Sequence, residues 1–107
     1  MTYLCLLPAL SVAQSKQVGG DWYRGGGIAL IHCTSCHVID NKGTGARFSD
    51  PPSFPKIALD PVRSKPEYIR ARLATSHPRM PKIKLNKRNT NDLIAYIRSW
   101  RYRILKY

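Results

Sequence analysis

Cys33, Cys36 and His37 stand within five consecutive residues, Cys-Thr-Ser-Cys-His. Two thiols three positions apart, followed at once by a histidine, form the C-x-x-C-H pattern of covalent haem attachment. The spacing carries the chemistry. Cysteines one helical turn apart can each form a thioether to a vinyl group on one edge of a porphyrin. The next residue then lies under the ring, where its imidazole can bind the iron. A second axial ligand must come from elsewhere. Met80 is the one plausible thioether, because the other methionine is Met1.

Other chemistries use the same residue types. A thioredoxin-like dithiol needs a strand before the first cysteine, and the segment upstream of Cys33 holds glycines and a short apolar helix-like run instead. A structural zinc ion needs four ligands. Cys33, Cys36, His37 and His77 could supply them, but there is no second cysteine pair. Two histidines rival Met80 as the second iron ligand. His32 adjoins Cys33 and is expected to point away from a ring held between Cys33 and His37. His77 precedes Met80 on the same strap. Pro78 and Pro81 make that strap stiff and extended, which suits the presentation of one side chain, Met80, to a fixed target.

Helices and one long loop have to position these groups. Asp21 is placed to cap a first helix that runs through Ile31 into the cysteine motif. Gly25-Gly26-Gly27 lies inside it, and glycine costs nearly 1 kcal/mol at each interior helical position. The triplet therefore predicts either a broken helix or a close approach by another backbone. Ala29, Leu30 and Ile31 are expected to make apolar contact. Residues 40–66 hold much of the proline, glycine, aspartate and serine. They read as a long loop that needs something to wrap around, with a helical turn at Lys56 to Leu59. Pro66-Glu67 opens a helix to about Thr75, with Tyr68, Ile69, Leu73 and the Arg72 stem on one face. Leu93, Tyr96, Ile97, Trp100 and Ile104 repeat at helical spacing and define a last helix capped by Asn86. Lys87 and Arg88 then fall in its first turn, against the helix dipole.

At 107 residues the chain makes one domain. With only 9% aromatic residues and eight prolines, its own core is thin for that size. A covalently held apolar plate would complete it. The net charge is +12, and two haem propionates would lower this by about two. Cations spread from residue 16 to residue 106, and no nucleic-acid fold signature appears. Aromatic residues fall mostly at helix spacing and read as core. The charge then fits an acidic redox partner, with at most peripheral attachment to a membrane.

Residues 1–13 are apolar and uncharged and end in Ser11-Val12-Ala13, with small residues where signal peptidase prefers them. They read as a cleaved export signal, although no basic residue precedes the apolar run. They are too short for a membrane anchor. The single domain would then span 14–107, and Cys5 would be discarded with the leader.

From about Asp21 to Arg101 the chain resembles the small single-haem class I cytochromes c of proteobacteria. The pieces come in that family's order: a first helix, Cys-Thr-Ser-Cys-His, a proline-rich loop, a helix opening Pro-Glu-Tyr-Ile, the strap His-Pro-Arg-Met-Pro, and a last helix containing Asp-Leu-Ile-Ala-Tyr-Ile. The resemblance implies an all-α cytochrome c fold, three to four helices wrapped around one haem c per chain. It implies thioethers at Cys33 and Cys36, His37 as proximal ligand through Nε2, and Met80 as distal ligand. It implies that the Pro52 carbonyl accepts the His37 Nδ1 proton, and that Gly25 lets the first helix cross closely against Leu93 and Tyr96. Where the family often has a bulky aromatic four residues before the first cysteine, this chain has Ala29, and Trp22 or Tyr23 are the candidates to compensate.

The function so implied is that of a periplasmic, monomeric single-electron carrier. It would dock acidic dehydrogenases, reductases or oxidases through Arg79, Lys82, Lys84, Lys87 and Arg88, and would not be an enzyme. The alternatives are a haem subunit bound permanently to a larger dehydrogenase, and a gas- or peroxide-binding protein with an open sixth site.

Overall fold

The computed structural model describes residues 19–46, 51–75, 80 and 83–106. The leader with Cys5, and His77, Arg79 and Lys82 of the strap, lie outside these. Among the described residues four helices follow in order: α1, Trp22–His32; α2, Phe54–Leu59; α3, Pro66–Ala74; and α4, Lys87–Leu105. Among the described residues there is no strand.

Each helix begins where its sequence provides a cap. The Asp21 carboxylate accepts from the amides of Tyr23 and Arg24. The Ser53 hydroxyl accepts from the Lys56 amide, so α2 starts two residues before the expected turn. Pro66 occupies the first turn of α3, where its missing N–H costs nothing. The Asn86 side chain accepts from the Asn89 amide at 2.7 Å. Lys87 and Arg88 oppose the dipole of α4, but Arg88 is also near enough to Asp92 to favour its ionised form, which offsets part of that mismatch.

The glycine triplet does not break α1. It lets α1 and α4 meet. A Cβ on Gly25 would collide with the Asp92 carbonyl and crowd Tyr96 Cβ, so the close partner is Asp92 rather than Leu93. The Tyr96 ring lies against Gly26, and Ala29 is fully buried. The bulk expected from α1 is thus supplied by α4. Neither Trp22 nor Tyr23 compensates, because both are exposed.

Asp92 locks this crossing. It is only 1% exposed. Its Oδ1 accepts from the Asp21 amide at 2.8 Å and its Oδ2 from Arg24 Nε at 3.1 Å. Burial alone would raise the carboxyl's pKa, but these bonds and the nearby guanidinium outweigh it and hold the group below its ordinary value.

The core is a cluster of Ala29, Ile39, Phe54, Ile69, Leu93, Ile94, Tyr96, Ile97 and Trp100 with their neighbours. Phe54, Tyr96 and Trp100 form edge-to-face contacts at about 6 Å. Other aromatic residues do not follow the core expectation: Trp22, Tyr23, Tyr68 and Tyr102 are exposed. So are Leu30 and Ile31, which had been expected to pack. They sit on the face of α1 turned away from α4, and the glycine face has taken the contact.

Candidate functional site

The cysteine motif follows directly from the end of α1. The Cys33 amide still bonds to the Ala29 carbonyl at 2.9 Å, and the amides of Cys36 and His37 both return to the Cys33 carbonyl. This turn continues the helix for one more loop and brings both thiols and the imidazole to one wall. The loop after it folds back on the motif. Ala46 donates to the Thr34 carbonyl and Phe54 to the Val38 carbonyl. Asp40 ties the loop by accepting from the amides of Lys42 and Thr44. Gly45 adopts φ +119°, and a Cβ there would strike the His37 carbonyl.

These elements enclose a cavity of about 400 Å³. Cys33, Cys36, His37, Pro52 and Met80, the residues singled out from the sequence, all line it. Phe54, Ile57, Ile69, Leu73, Ile83 and Ile97 give it apolar walls. His32 is also among the residues that line it.

His37 is fixed in orientation. Its Nδ1 lies 2.7 Å from the Pro52 carbonyl oxygen. A carbonyl can only accept, so Nδ1 carries the proton and Nε2 keeps its lone pair. The Phe54 ring braces the imidazole, 5.4 Å between centroids. The two thiols are unpaired. Burial, with a smaller contribution from Cys36, pushes the Cys33 thiol up to about 12. Dithiol redox catalysts need the opposite shift. Among the described residues no three His, Cys, Asp or Glu side chains gather as a metal cage. The donor set therefore fits a large apolar plate held covalently at one edge.

The rim holds two cations that the sequence reading left out or mentioned only for a stem, Arg63 and Arg72, together with Tyr68. Among the described residues no carboxylate side chain lines the cavity. Tyr68, Ile69, Arg72 and Leu73 share one face of α3 by helical spacing, which was the available signal for Arg72. Arg63 sits in the turn before α3, where no periodicity marks it.

The Cytochrome c family model matches residues 24–101. Cytochrome c-552 of Bradyrhizobium diazoefficiens is 35% identical over 98 residues, covering 92% of both chains. The cytochrome bc1 complex cytochrome c subunit of Mycobacterium tuberculosis is 32% identical over 94 residues, which is 85% of this chain but 31% of that protein. The same subunit of Mycobacterium bovis matches equally. No solved structure matches the chain. Members of this family generally transfer electrons rather than catalyse reactions. The family model spans most of the chain and the Bradyrhizobium relative is matched along nearly its whole length, so the chain belongs to the cytochrome c family, and its cofactor is covalently bound haem c.

Proposed function

We propose that the protein is a single-electron carrier whose haem is fixed by thioethers to Cys33 and Cys36 and bound axially by His37 and Met80. One observation carries this reading: a histidine whose tautomer is set by Pro52 and a methionine line the same apolar cavity as the thiol pair. When bound, haem c supplies a one-electron couple. The chain's own residues do the rest. Pro52 holds the His37 proton at Nδ1, which orients the ring and raises the basicity of Nε2. The Met80 thioether, a neutral soft ligand, favours the reduced state. Phe54, Ile69, Leu73 and Ile97 keep water from the site. Arg63 and Arg72, with Tyr68, would receive the propionates on the rim.

Ligation is tested by spectroscopy. The ferric protein should show the weak near-infrared methionine–iron band, and Met80→Ala should lose it. Carbon monoxide binding to the reduced wild-type protein at neutral pH would instead support an open sixth site and overturn the reading.

Exposed Lys84, Lys87 and Arg88 and the +12 net charge suit acidic redox partners. Turnover with such a partner should slow steeply with salt, and a flat profile would reject steering. The apolar stretch 1–13 supports export to the periplasm with cleavage near Ala13, leaving 14–107 as the mature domain. No helix among the described residues is long and apolar enough to cross a membrane.

A second reading has its own support. The mycobacterial relatives are named as subunits of a bc1 complex, which favours a haem module held permanently in a larger assembly. Co-purification with other subunits at high salt would establish it.

A further inference from the structure

His37 and Pro52 stand on two short segments tied to each other. The His37 Nδ1 proton goes to the Pro52 carbonyl at 2.7 Å. One step further along, the Phe54 amide donates to the Val38 carbonyl at 2.9 Å. Residues 37–39 thus carry the donor of the histidine's own hydrogen bond, and residues 52–54 carry its acceptor. The strength of that bond depends on how the two segments are held relative to each other.

One side chain of α4 engages both segments. Tyr96 donates its hydroxyl to the Ile39 carbonyl at 2.9 Å, a buried bond across 57 positions of sequence. Its ring meets Phe54 edge to face at 6.2 Å, and the Phe54 ring lies 5.4 Å from that of His37. The Ile39 amide is already bound to the Thr44 carbonyl, so the Tyr96 hydroxyl supplies the remaining hold on that residue. Burial raises the Tyr96 pKa above its ordinary value, so the hydroxyl keeps its proton and remains a donor. Packing alone would be served by phenylalanine. The hydroxyl is explained by the carbonyl that it meets, which would otherwise be buried without a partner.

We infer that Tyr96 is a positioning residue for the iron ligand: through Ile39 and Phe54 it sets the strength of the His37–Pro52 hydrogen bond, and so the redox potential. This rests on His37 being an axial ligand. A firm bond from Nδ1 to a carbonyl makes Nε2 a stronger donor, which favours the oxidised state. Without the hydroxyl, residues 37–39 relax away from residues 52–54, the Nδ1 bond weakens and the reduced state gains. The resemblance placed Tyr96 only at the crossing with α1. Its ring does lie against Gly26 there, but its hydroxyl reaches past that crossing to the turn that follows the cysteine motif.

Tyr96→Phe keeps the ring and removes only the hydroxyl. Two quantities are measured on the holoprotein: the midpoint potential, and deuterium exchange of the His37 Nδ1 proton in the reduced state. The second is followed by NMR, where the ring current of the haem sets that signal apart. The variant should exchange this proton about tenfold faster. Its reduced-to-oxidised ratio at a fixed ambient potential should rise about threefold, which is about 28 mV. Asp92→Asn is the control for lost stability. It loosens the α1–α4 joint but leaves the Tyr96 hydroxyl in place, so both quantities should stay at their wild-type values. Unchanged exchange or an unchanged potential in Tyr96→Phe would overturn the inference and leave Tyr96 a packing residue. So would equal changes in Asp92→Asn, because lost stability would then explain them. A wild-type protein without the shifted imidazole signal would show that His37 does not bind the iron; the ligand reading would then fall, and this inference with it.

Discussion

The two sides of α4 are built on opposite principles. Toward α1 the contact is backbone against backbone: Gly25 admits the Asp92 carbonyl, Tyr96 covers Gly26, and Asp92 closes the joint with two charge-assisted bonds. Toward α2, α3 and the strap there is a cavity of about 400 Å³, walled by short helices and turns. The first side is complete in the polypeptide. The second has apolar walls with no protein between them, and is completed by the cofactor. A small chain can thus leave one side of its interior to a prosthetic group, provided that one helix pair is self-sufficient.

The largest expected effect breaks the second side. Cys33→Ser with Cys36→Ser removes both proposed attachment points, so the chain should be made without its covalently held plate. It should retain helical far-ultraviolet signal but lose the cooperative thermal transition, measured by near-ultraviolet circular dichroism and calorimetry. A sharp transition in that variant would show that the polypeptide closes its own core.

Next in size is damage to the first side. Gly25→Val places a Cβ where the Asp92 carbonyl stands, so α1 must move from α4 or Asp92 must lose its partners. The cost should be about 3 kcal/mol or more in denaturant melts of the holoprotein. The axial spectrum should stay intact in the folded fraction, because His37 and Pro52 lie elsewhere. Loss of the near-infrared band in step with stability would mean that the two sides are not separable.

The same division explains what the sequence disclosed. Local chemistry was legible: the caps at Asp21 and Asn86, Pro66 at the start of α3, and the C-x-x-C-H turn itself. The three glycines left a broken helix and a close neighbour equally open, and the family resemblance pointed to a crossing of Gly25 against Leu93 and Tyr96. Tyr96 is at that contact, and Asp92 stands where Leu93 was expected, because a helix face is easier to name than its rotation. Asp92 was invisible as a buried group. Its partners lie 71 and 68 positions away, and no local pattern distinguishes it from a solvated helical carboxylate. Arg63 was missed for the same reason. The exposed Trp22 and Tyr102 were misread because helix spacing marks a face and does not say which faces find partners.

Asp92→Asn sharpens the comparison through pH. The folded carboxyl has a lowered pKa, so its stabilising contribution is complete above the unfolded value of about 3.9 and is lost as pH falls through the lower folded value. At neutral pH the amide keeps one acceptor but loses the charge opposite Arg24, a cost of about 1–3 kcal/mol. The wild-type advantage should therefore shrink as the pH is taken below about 4, and the two proteins should converge at low pH. A constant difference across that range would assign the effect to packing rather than ionisation.

The smallest effect has the opposite sign, and it comes from the same triplet. Gly27 belongs to α1, but a Cβ built on it meets nothing within 4 Å. Gly25 is required by contact, whereas Gly27 only adds freedom to the unfolded chain and weakens the helix. Gly27→Ala should stabilise the holoprotein by about 0.5–1 kcal/mol, read as a rise in melting temperature with unchanged spectra. The pair makes a direct control, because the two substitutions lie two residues apart in one helix and differ in whether α4 is in the way. Destabilisation by Gly27→Ala would mean that the outer face of α1 is packed against something in solution. That face carries Tyr23, Leu30 and Ile31, all exposed in the isolated chain, and such a result would add it to the contact surfaces of the protein.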